Sequence, residues 1–278
     1  MATTHKYPPV GRCIYCSSIT SDLGDEHIIP FSLNGGMVLP KASCHSCERT
    51  IQPYELTVAR RIFGHFRIRH GVQTRNKKQR PEYVEFATLF PNGKSGKERV
   101  PVHEYPTMLF VYKFDKATML LCYPSEVEHF RWVPISIFNK TELDKFIEKH
   151  HWNKQTTIKT SPVELARLIA KIAYSFAVAE IGLDSFLPLP MTLDTILCRT
   201  NNVSYSVGGD WEIPPPDPAG KHVLNLTCII QQPNPLIVVE IRLFPAFETP
   251  KYHVVVGHFD MQNPNHFRTF TEKMREAQ

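Results

Sequence analysis

Four cysteines near the start of the sequence stand in two pairs, with two residues between the members of each pair. They are Cys13 with Cys16 and Cys44 with Cys47. This spacing lets both sulfur atoms of a pair face one ion, and four thiolates are typical of tetrahedral structural zinc. The pairs therefore predict a closed zinc site that leaves no coordination position open for catalysis. The alternative is four thiols without a metal, although two such pairs rarely arise by chance.

A cluster of acids and a histidine lies between the two pairs, at Asp25, Glu26 and His27. An imidazole titrates near neutral pH, so His27 can take a proton from an attacking water molecule. Carboxylate oxygens suit Mg²⁺ or Mn²⁺, and such an ion neutralises charge on phosphoryl oxygens. Neighbouring side chains on a regular strand point to opposite faces, so Glu26 and His27 would not contact one atom. The cluster predicts metal-assisted phosphodiester hydrolysis; the alternatives are a structural histidine and a solvated turn acid.

The elements that must position this cluster are short. Residues 25–30 and 37–40 are expected to form two strands, joined by a turn at the Asn-Gly-Gly sequence that begins at Asn34. Ser43 is a suitable cap for a helix that starts near Cys44. The predicted order is therefore strand, turn, strand and helix, with one cysteine pair before it and one at the start of the helix.

The combination of C-x2-C, the sequence EHIIP, a glycine-containing loop and a second C-x2-C resembles the zinc-containing branch of the HNH endonucleases, also called His-Me or ββα-metal fingers. The resemblance covers about residues 11–56. It implies that zinc fixes the finger, that His27 is the general base and that Glu26 is a ligand of a catalytic Mg²⁺ or Mn²⁺ ion. It also implies products with 5′-phosphate and 3′-hydroxyl ends.

The sequence departs from the family pattern at two positions. The family often has an asparagine metal ligand directly after the last cysteine, where this chain has Glu48. A carboxylate can replace the amide oxygen, and Glu55 is the runner-up, about 10 Å farther along a helix and so not a second ligand to the same ion. The middle asparagine of the motif would fall near Val38 and Leu39. Asn34 could take part of that catalytic role, although a turn is the stronger interpretation.

A basic segment without acidic residues runs from Leu56 to Pro81. Such a segment suits contacts with nucleic-acid phosphates, and the alternative is a solvated basic face. Arg60, Arg61 and Arg67 could line one side of a helix. No base-reading motif is visible, so the expected partner is duplex DNA bound with little sequence preference. The predicted contact residues are Arg60, Arg61, Arg67, Arg69, Lys77 and Lys78.

Composition places the chain among ordinary globular proteins. It has 278 residues, 42% of them hydrophobic, and a formal net charge of +5, which permits a nucleic-acid partner without requiring one. No run of eighteen apolar residues appears, so no membrane span or membrane partner is expected. The first residues lack the apolar stretch of a secretory signal, which predicts a cytoplasmic protein.

The expected fold class is α+β, with a small zinc-stapled finger followed by a larger mixed domain. Residues 1–56 would form the HNH domain, 57–82 a basic helix and linker, and 83–278 an α+β domain for substrate recognition, dimerisation or binding of a partner protein. A helix over 53–70 would begin at Pro53. Further helices are expected over 162–181 and from Asn139 to His150. Strands are expected over 83–90, 106–114, 118–124, 222–230, 235–244 and 252–259.

These patterns favour a metal-dependent HNH endonuclease that hydrolyses DNA. One alternative is a non-catalytic zinc module that binds DNA or protein, since the middle asparagine of the motif is absent. Another is a nuclease effector that stays silent until a partner or ligand engages the C-terminal domain. A role in anti-phage defence is compatible with such an architecture.

Overall fold

The computed structural model describes residues 4–73, 80–89, 92–121, 131–150, 152, 162–231, 233–263, 266, 268 and 270–272. The fold is mixed α+β, which confirms the predicted class, and within these residues the strands form four separate sheets. In the part of the chain that the structure describes, none of the helices is both long and apolar enough to cross a bilayer.

The N-terminal sheet has three strands, with β3 in the centre, β1 parallel to it and β2 antiparallel to it. A 3₁₀ turn (Phe31–Leu33) joins β2 to β3, and helix α1 follows β3 directly, so the predicted order of elements is confirmed. Ser43 is buried within β3 and does not cap α1; Cys44 occupies the cap position instead. The bounds are β1 (His5–Lys6), β2 (Leu23–His27), β3 (Met37–Cys44) and α1 (His45–Thr57).

The helix predicted over 53–70 is wrong in its start and its continuity. Pro53 lies inside α1, where burial of Ile51 and Tyr54 on either side holds the turn that lacks the proline N–H bond. After α1 the chain forms a π-helical turn (Val58–Ile62) and then the short helix α2 (Gly64–Arg69). A π turn inserts one extra residue and rotates the side chains that follow it, so periodicity alone could not place them.

Two hairpins follow: β4 with β5 and β6 with β7. Helix α3 comes next, and the Asn139 side chain accepts a hydrogen bond from the Glu142 backbone N–H at 3.1 Å, which confirms the predicted cap. The strand predicted over 118–124 is wrong where it can be described, because Thr118–Leu120 is a 3₁₀ turn; residues 122–124 lie outside the described residues. The bounds are β4 (Tyr83–Leu89), β5 (Ser95–Pro101), β6 (Met108–Phe114), β7 (Trp132–Phe138) and α3 (Lys140–His150).

The C-terminal sheet is antiparallel, in the order β10-β11-β12-β8, and β9 also pairs with β12. The predicted helix over 162–181 is confirmed as α4, which packs against β11, β12 and α1. The bounds are α4 (Pro162–Ile181), β8 (Leu187–Pro188), α5 (Pro190–Ile196), β9 (Val207–Gly209), β10 (Val223–Ile229), β11 (Leu236–Arg242) and β12 (Tyr252–His258).

One cluster of buried hydrophobic side chains joins the N-terminal segment to the C-terminal sheet. The Tyr174 hydroxyl on α4 donates to the Ile14 carbonyl at 2.8 Å, beside the first cysteine pair. The imidazole of His222 bonds the Leu33 carbonyl at 2.7 Å. The predicted boundary at residue 56 falls inside α1, and the residues on either side of that boundary share this core.

Candidate metal centre and adjoining cavities

The four paired cysteines come together at one point. Their sulfur atoms all lie within 4.8 Å of one another, and the Cys16 and Cys44 sulfurs are 3.6 Å apart. Tetrahedral zinc with bonds of about 2.3 Å separates its sulfur ligands by about 3.8 Å. The cluster is therefore close enough to hold one metal ion, and its geometry is compatible with structural zinc.

Local backbone structure explains how the sulfurs converge. In the first pair, the Ser17 N–H bonds the Cys13 carbonyl at 2.8 Å, and Ser17 adopts a positive φ of 58° to close the turn. In the second pair, Cys44 ends β3 and Cys47 lies in the first turn of α1. A hydrogen bond from Cys47 and nearby backbone donors outweigh burial and lower the pKa of the Cys13 thiol to about 4. One thiol of the cluster thus already favours the thiolate that a metal requires.

Lys171, in the middle of α4, lies beneath the acidic cluster and is 1% exposed. Its ammonium group forms ion pairs with the carboxylates of Glu26 and of Glu55, the latter at 3.1 Å. It also donates to the His27 carbonyl and lies 3.4 Å from the Ile28 carbonyl oxygen. Burial opposes the charge on Lys171, but the two carboxylates outweigh it and raise the pKa of the ammonium group. Lys171 therefore fixes the backbone at His27 from the side of the core.

Glu26 is the carboxylate most changed in interpretation by the structure. It was predicted as a metal ligand, yet it is 6% exposed and bound by Lys171. Burial raises the pKa of Glu26, while the charge of Lys171 opposes that shift. Its immediate partner is thus a protein cation, although its side chain still forms part of a cavity wall.

Lys171 was missed by sequence reasoning, which treated this helix as apolar core. The signal was a single lysine within the run LIAKIAYSF. Lysine is almost never buried unless it is paired, so an apolar helix that contains one predicts a buried acid opposite it. The sequence offers no means of deciding which acids those are, because Glu26 and Glu55 are more than a hundred residues away.

His27 ends β2 immediately after a β-bulge. Gly24 pairs with Ser43 and Glu26 with Leu39, so one residue of β2 lies opposite three residues of β3. Bulges twist a strand and redirect its side chains, and they are common beside functional sites. Here Glu26 is turned into the core while His27 is half-buried and contacts the Phe31 ring, with 6.4 Å between ring centroids.

Two adjoining cavities meet at His27. The acidic cavity encloses about 310 Å³ and is lined by His27 with the carboxylates of Asp25, Glu26, Glu48 and Glu55, among other residues. The mixed cavity encloses about 460 Å³ and is also bordered by His27 and Glu55, but its other side carries two arginines. The imidazole therefore stands between a carboxylate-lined space and an arginine-lined space.

Helix α1 supplies one wall of the acidic cavity. Glu48, Gln52 and Glu55 are four and three residues apart, which places them on one helix face. The Glu48 carboxylate lies against Gly24, where any larger residue would collide with it, and one of its oxygens is 3.9 Å from Nδ1 of His45. Among the described residues, the cysteine cluster is the one group of three or more potential ligands that converges. A magnesium ion in the acidic cavity would thus take one or two carboxylates and complete its shell with water and phosphate.

The predicted nucleic-acid contacts fall in different places. Arg60 and Arg67 line the mixed cavity beside His27, whereas Arg61 lines a separate aromatic cavity. Arg69 forms an ion pair with Glu142 at 3.7 Å. The hypothesis that Arg60, Arg61 and Arg67 line one side of a helix is wrong, because the π turn directs them differently. Lys77 and Lys78 lie outside the described residues.

Asn34 is not brought to the histidine. It adopts a positive φ of 65° at the end of the 3₁₀ turn, and its side-chain oxygen accepts the Gln73 N–H at 2.9 Å. In the described part of the chain, it lines neither of the cavities that His27 borders. Gly35 beside it packs against the Ile29 carbonyl, leaving no room for a Cβ atom. Asn34 is therefore a turn residue rather than a catalytic partner of His27.

Comparisons of the chain with protein-family models, with curated proteins and with solved structures find no match. The functional argument therefore depends on the geometry of the cysteine cluster, of His27 and of the cavities on either side of it.

Proposed function

We propose that this protein is a metal-dependent nuclease of the HNH type, with zinc held by the four cysteines and His27 as the general base. The observation that carries the proposal is the position of His27, at the meeting point of a carboxylate-lined and an arginine-lined cavity. The strand that bears it lies in the same small sheet as β3, whose last residue belongs to the cysteine cluster.

The proposed reaction is hydrolysis of a phosphodiester by water. His27 takes a proton from the water molecule as its oxygen attacks phosphorus, and the bond from phosphorus to the 3′ oxygen breaks. Arg60 and Arg67 hold phosphate oxygens in the mixed cavity. A Mg²⁺ or Mn²⁺ ion bound on the acidic side would neutralise charge on the phosphate and the leaving oxygen. The leaving oxygen takes up a proton, giving 5′-phosphate and 3′-hydroxyl ends.

Glu48 is the carboxylate we propose as the principal ligand of that ion. It is partly exposed, it lines the acidic cavity and its helix begins within the cysteine cluster. Glu26 takes a different role from the one predicted, because its ion pair with Lys171 supports a function in fixing β2. Glu55 is shared between Lys171 and the two cavities, which makes it the second candidate ligand.

The decisive experiment compares cleavage by the wild-type protein and by His27→Ala with Mg²⁺ or Mn²⁺. Substrates are supercoiled plasmid, linear duplex, single-stranded DNA and RNA. We expect the variant to lose about 10²- to 10⁴-fold in rate, the usual contribution of a general base, and EDTA to abolish cleavage. His45→Ala is the matched control, since it removes another imidazole from the same cavity. Equal rates for wild type and His27→Ala would contradict the proposal.

Replacing Glu48 by glutamine should raise the Mg²⁺ concentration needed for half-maximal cleavage by about tenfold or more, because the ion loses a charged ligand. The comparison variant is Glu55→Gln, which alters the other carboxylate on the same helix face. Titration of the cleavage rate with Mg²⁺ measures both. A larger shift for Glu55→Gln than for Glu48→Gln would reverse the assignment.

A zinc module that binds nucleic acid or protein without cutting is the second candidate. The observation that favours it is the buried ion pair of Glu26 with Lys171, which occupies a carboxylate that the family uses for metal. That candidate predicts tight binding of an oligonucleotide, no cleavage of any substrate and no effect of His27→Ala. A nuclease that requires a partner instead predicts cleavage only after cell extract is added, and loss of that cleavage in His27→Ala.

A further inference from the structure

A third cavity, here called the arginine cavity, lies next to the mixed cavity and encloses about 230 Å³. Three arginines from different parts of the basic segment line it, and the other lining residues are apolar, glycine or proline. In the described part of the chain no acidic residue lines it. The arginines are Arg60 in the π turn, Arg67 in α2 and Arg80 after α2.

Backbone carbonyl groups hold two of these guanidinium groups in place. Arg67 donates to the Ala59 carbonyl at 3.0 Å and to the Gln73 carbonyl at 3.4 Å. Arg80 donates to the carbonyls of Gly71 and Val72 at 2.9 and 3.0 Å. Carbonyl oxygens orient a guanidinium group but do not neutralise its charge. Among the described residues, no carboxylate forms an ion pair with any of the three arginines of the cavity.

Arg67 shows the electrostatic consequence most clearly. Its Nε atom is buried and has no hydrogen-bond partner among the described residues. Burial and then the charge of Arg60 lower the pKa of Arg67, so the site as it stands disfavours the cation that occupies it. An anion that accepted a hydrogen bond from Nε would remove both penalties.

The arginine cavity continues into the space beside His27. Ala59, Arg60 and Arg67 line both the arginine cavity and the mixed cavity. A nucleic-acid strand whose scissile phosphate lies at His27 can therefore present a neighbouring phosphate to the arginines. The planar guanidinium fork matches phosphate oxygens better than an ammonium group does.

We propose that Arg60, Arg67 and Arg80 form a phosphate-binding site, which holds the phosphate that flanks the one cleaved at His27. This inference rests on the proposed nuclease function for its substrate, but not for the binding itself. The shared chemistry is a phosphate group, from a nucleic-acid strand or free in solution, and the two sources are distinguished by experiment.

The test measures binding in a background that cannot cleave. Full-length His27→Ala protein is titrated into a fluorescein-labelled oligonucleotide at several salt concentrations, without added divalent ions. Arg67→Gln and Arg80→Gln should each lower the slope of log affinity against log salt by about 0.7 to 0.9, the change expected for one lost phosphate contact. Arg61→Gln is the matched control, because it removes the same charge from the same segment but not from this cavity.

Equal changes of slope in all three variants would overturn the site in favour of a diffuse basic face. Because Arg67 also bonds two carbonyls, Arg67→Lys is added to separate charge from local structure: it should retain most of the slope. If Arg67→Lys loses as much slope as Arg67→Gln, the role is structural and the proposal fails.

Inorganic phosphate distinguishes the two sources. If it raises the melting temperature of the wild type but not of Arg67→Gln, the site accepts free phosphate; if only the oligonucleotide responds to the substitution, the site takes a strand phosphate. No response of either ligand overturns the proposal. Because binding is measured without cleavage, a failure of the nuclease proposal would leave this result intact.

Discussion

Replacing Lys171 by methionine should lower the free energy of unfolding by about 3–5 kcal/mol, the usual cost of removing one partner from a buried ion pair. The methionine fills similar volume, but Glu26 is left in the core without its cation and the His27 carbonyl loses a donor. Chemical denaturation monitored by fluorescence measures the change. We also expect cleavage to fall, since the backbone that carries the general base is no longer held from the side of the core.

Two further variants make this prediction specific. Lys251 also contacts two carboxylates, Asp210 at 2.9 Å and Glu240 at 3.1 Å, but it lies at the surface. Lys251→Met should therefore cost no more than about 1 kcal/mol. Combining Lys171→Met with Glu26→Gln should recover part of the lost stability, because the unpaired buried charge is gone. A loss in Lys171→Met no larger than that in Lys251→Met would contradict the importance of the buried pair.

Removal of metal from the cysteine cluster should produce the second large effect. We expect one zinc ion per chain by metal analysis of the wild type and none in the double variant Cys44→Ser, Cys47→Ser. Structural zinc sites contribute about 10–16 kcal/mol of apparent binding free energy in isolated fingers, so its loss should unfold the segment it closes. The larger core around α4 and the C-terminal sheet should stay folded, because it buries enough apolar surface without a metal.

Hydrogen exchange distinguishes local from global unfolding after zinc is lost. Amides of β2, β3 and the first turn of α1 should exchange much faster in the double variant, while those of β11 and β12 should remain protected. Cys198→Ser with Cys228→Ser is the matched control, since both cysteines lie outside the cluster. An unchanged exchange pattern with no bound zinc would contradict a structural role for the cluster.

These two predictions meet at the same strand. The cysteine cluster holds β2 and β3 from one end, through Cys44, while Lys171 holds β2 from the core, through Glu26 and the His27 carbonyl. A loop histidine would need other means to keep its imidazole in a fixed position. The double support of His27 is the strongest structural argument that its position matters for function.

The sequence by itself determined the features that depend on local spacing. The two C-x2-C pairs were sufficient to predict four converging sulfurs, because a two-residue turn constrains both members of each pair. Alternating and helical hydrophobic patterns predicted the later strands of the C-terminal sheet and helix α4, because each has one dominant periodicity over a sufficient length. The order strand, turn, strand and helix followed from the glycine turn and the capped helix start.

Only the tertiary structure decided the features that depend on distant residues. The partner of Glu26 is a lysine from a helix that sequence patterns classify as apolar, and hydrophobic periodicity carries no information about which acid meets it. The π turn at Val58–Ile62 redirects the arginines, since one inserted residue changes every later direction. Asn34 is held by Gln73, a contact across 39 residues that no local pattern encodes. Side-chain pairing across the core is set by packing, and packing is a property of the whole chain.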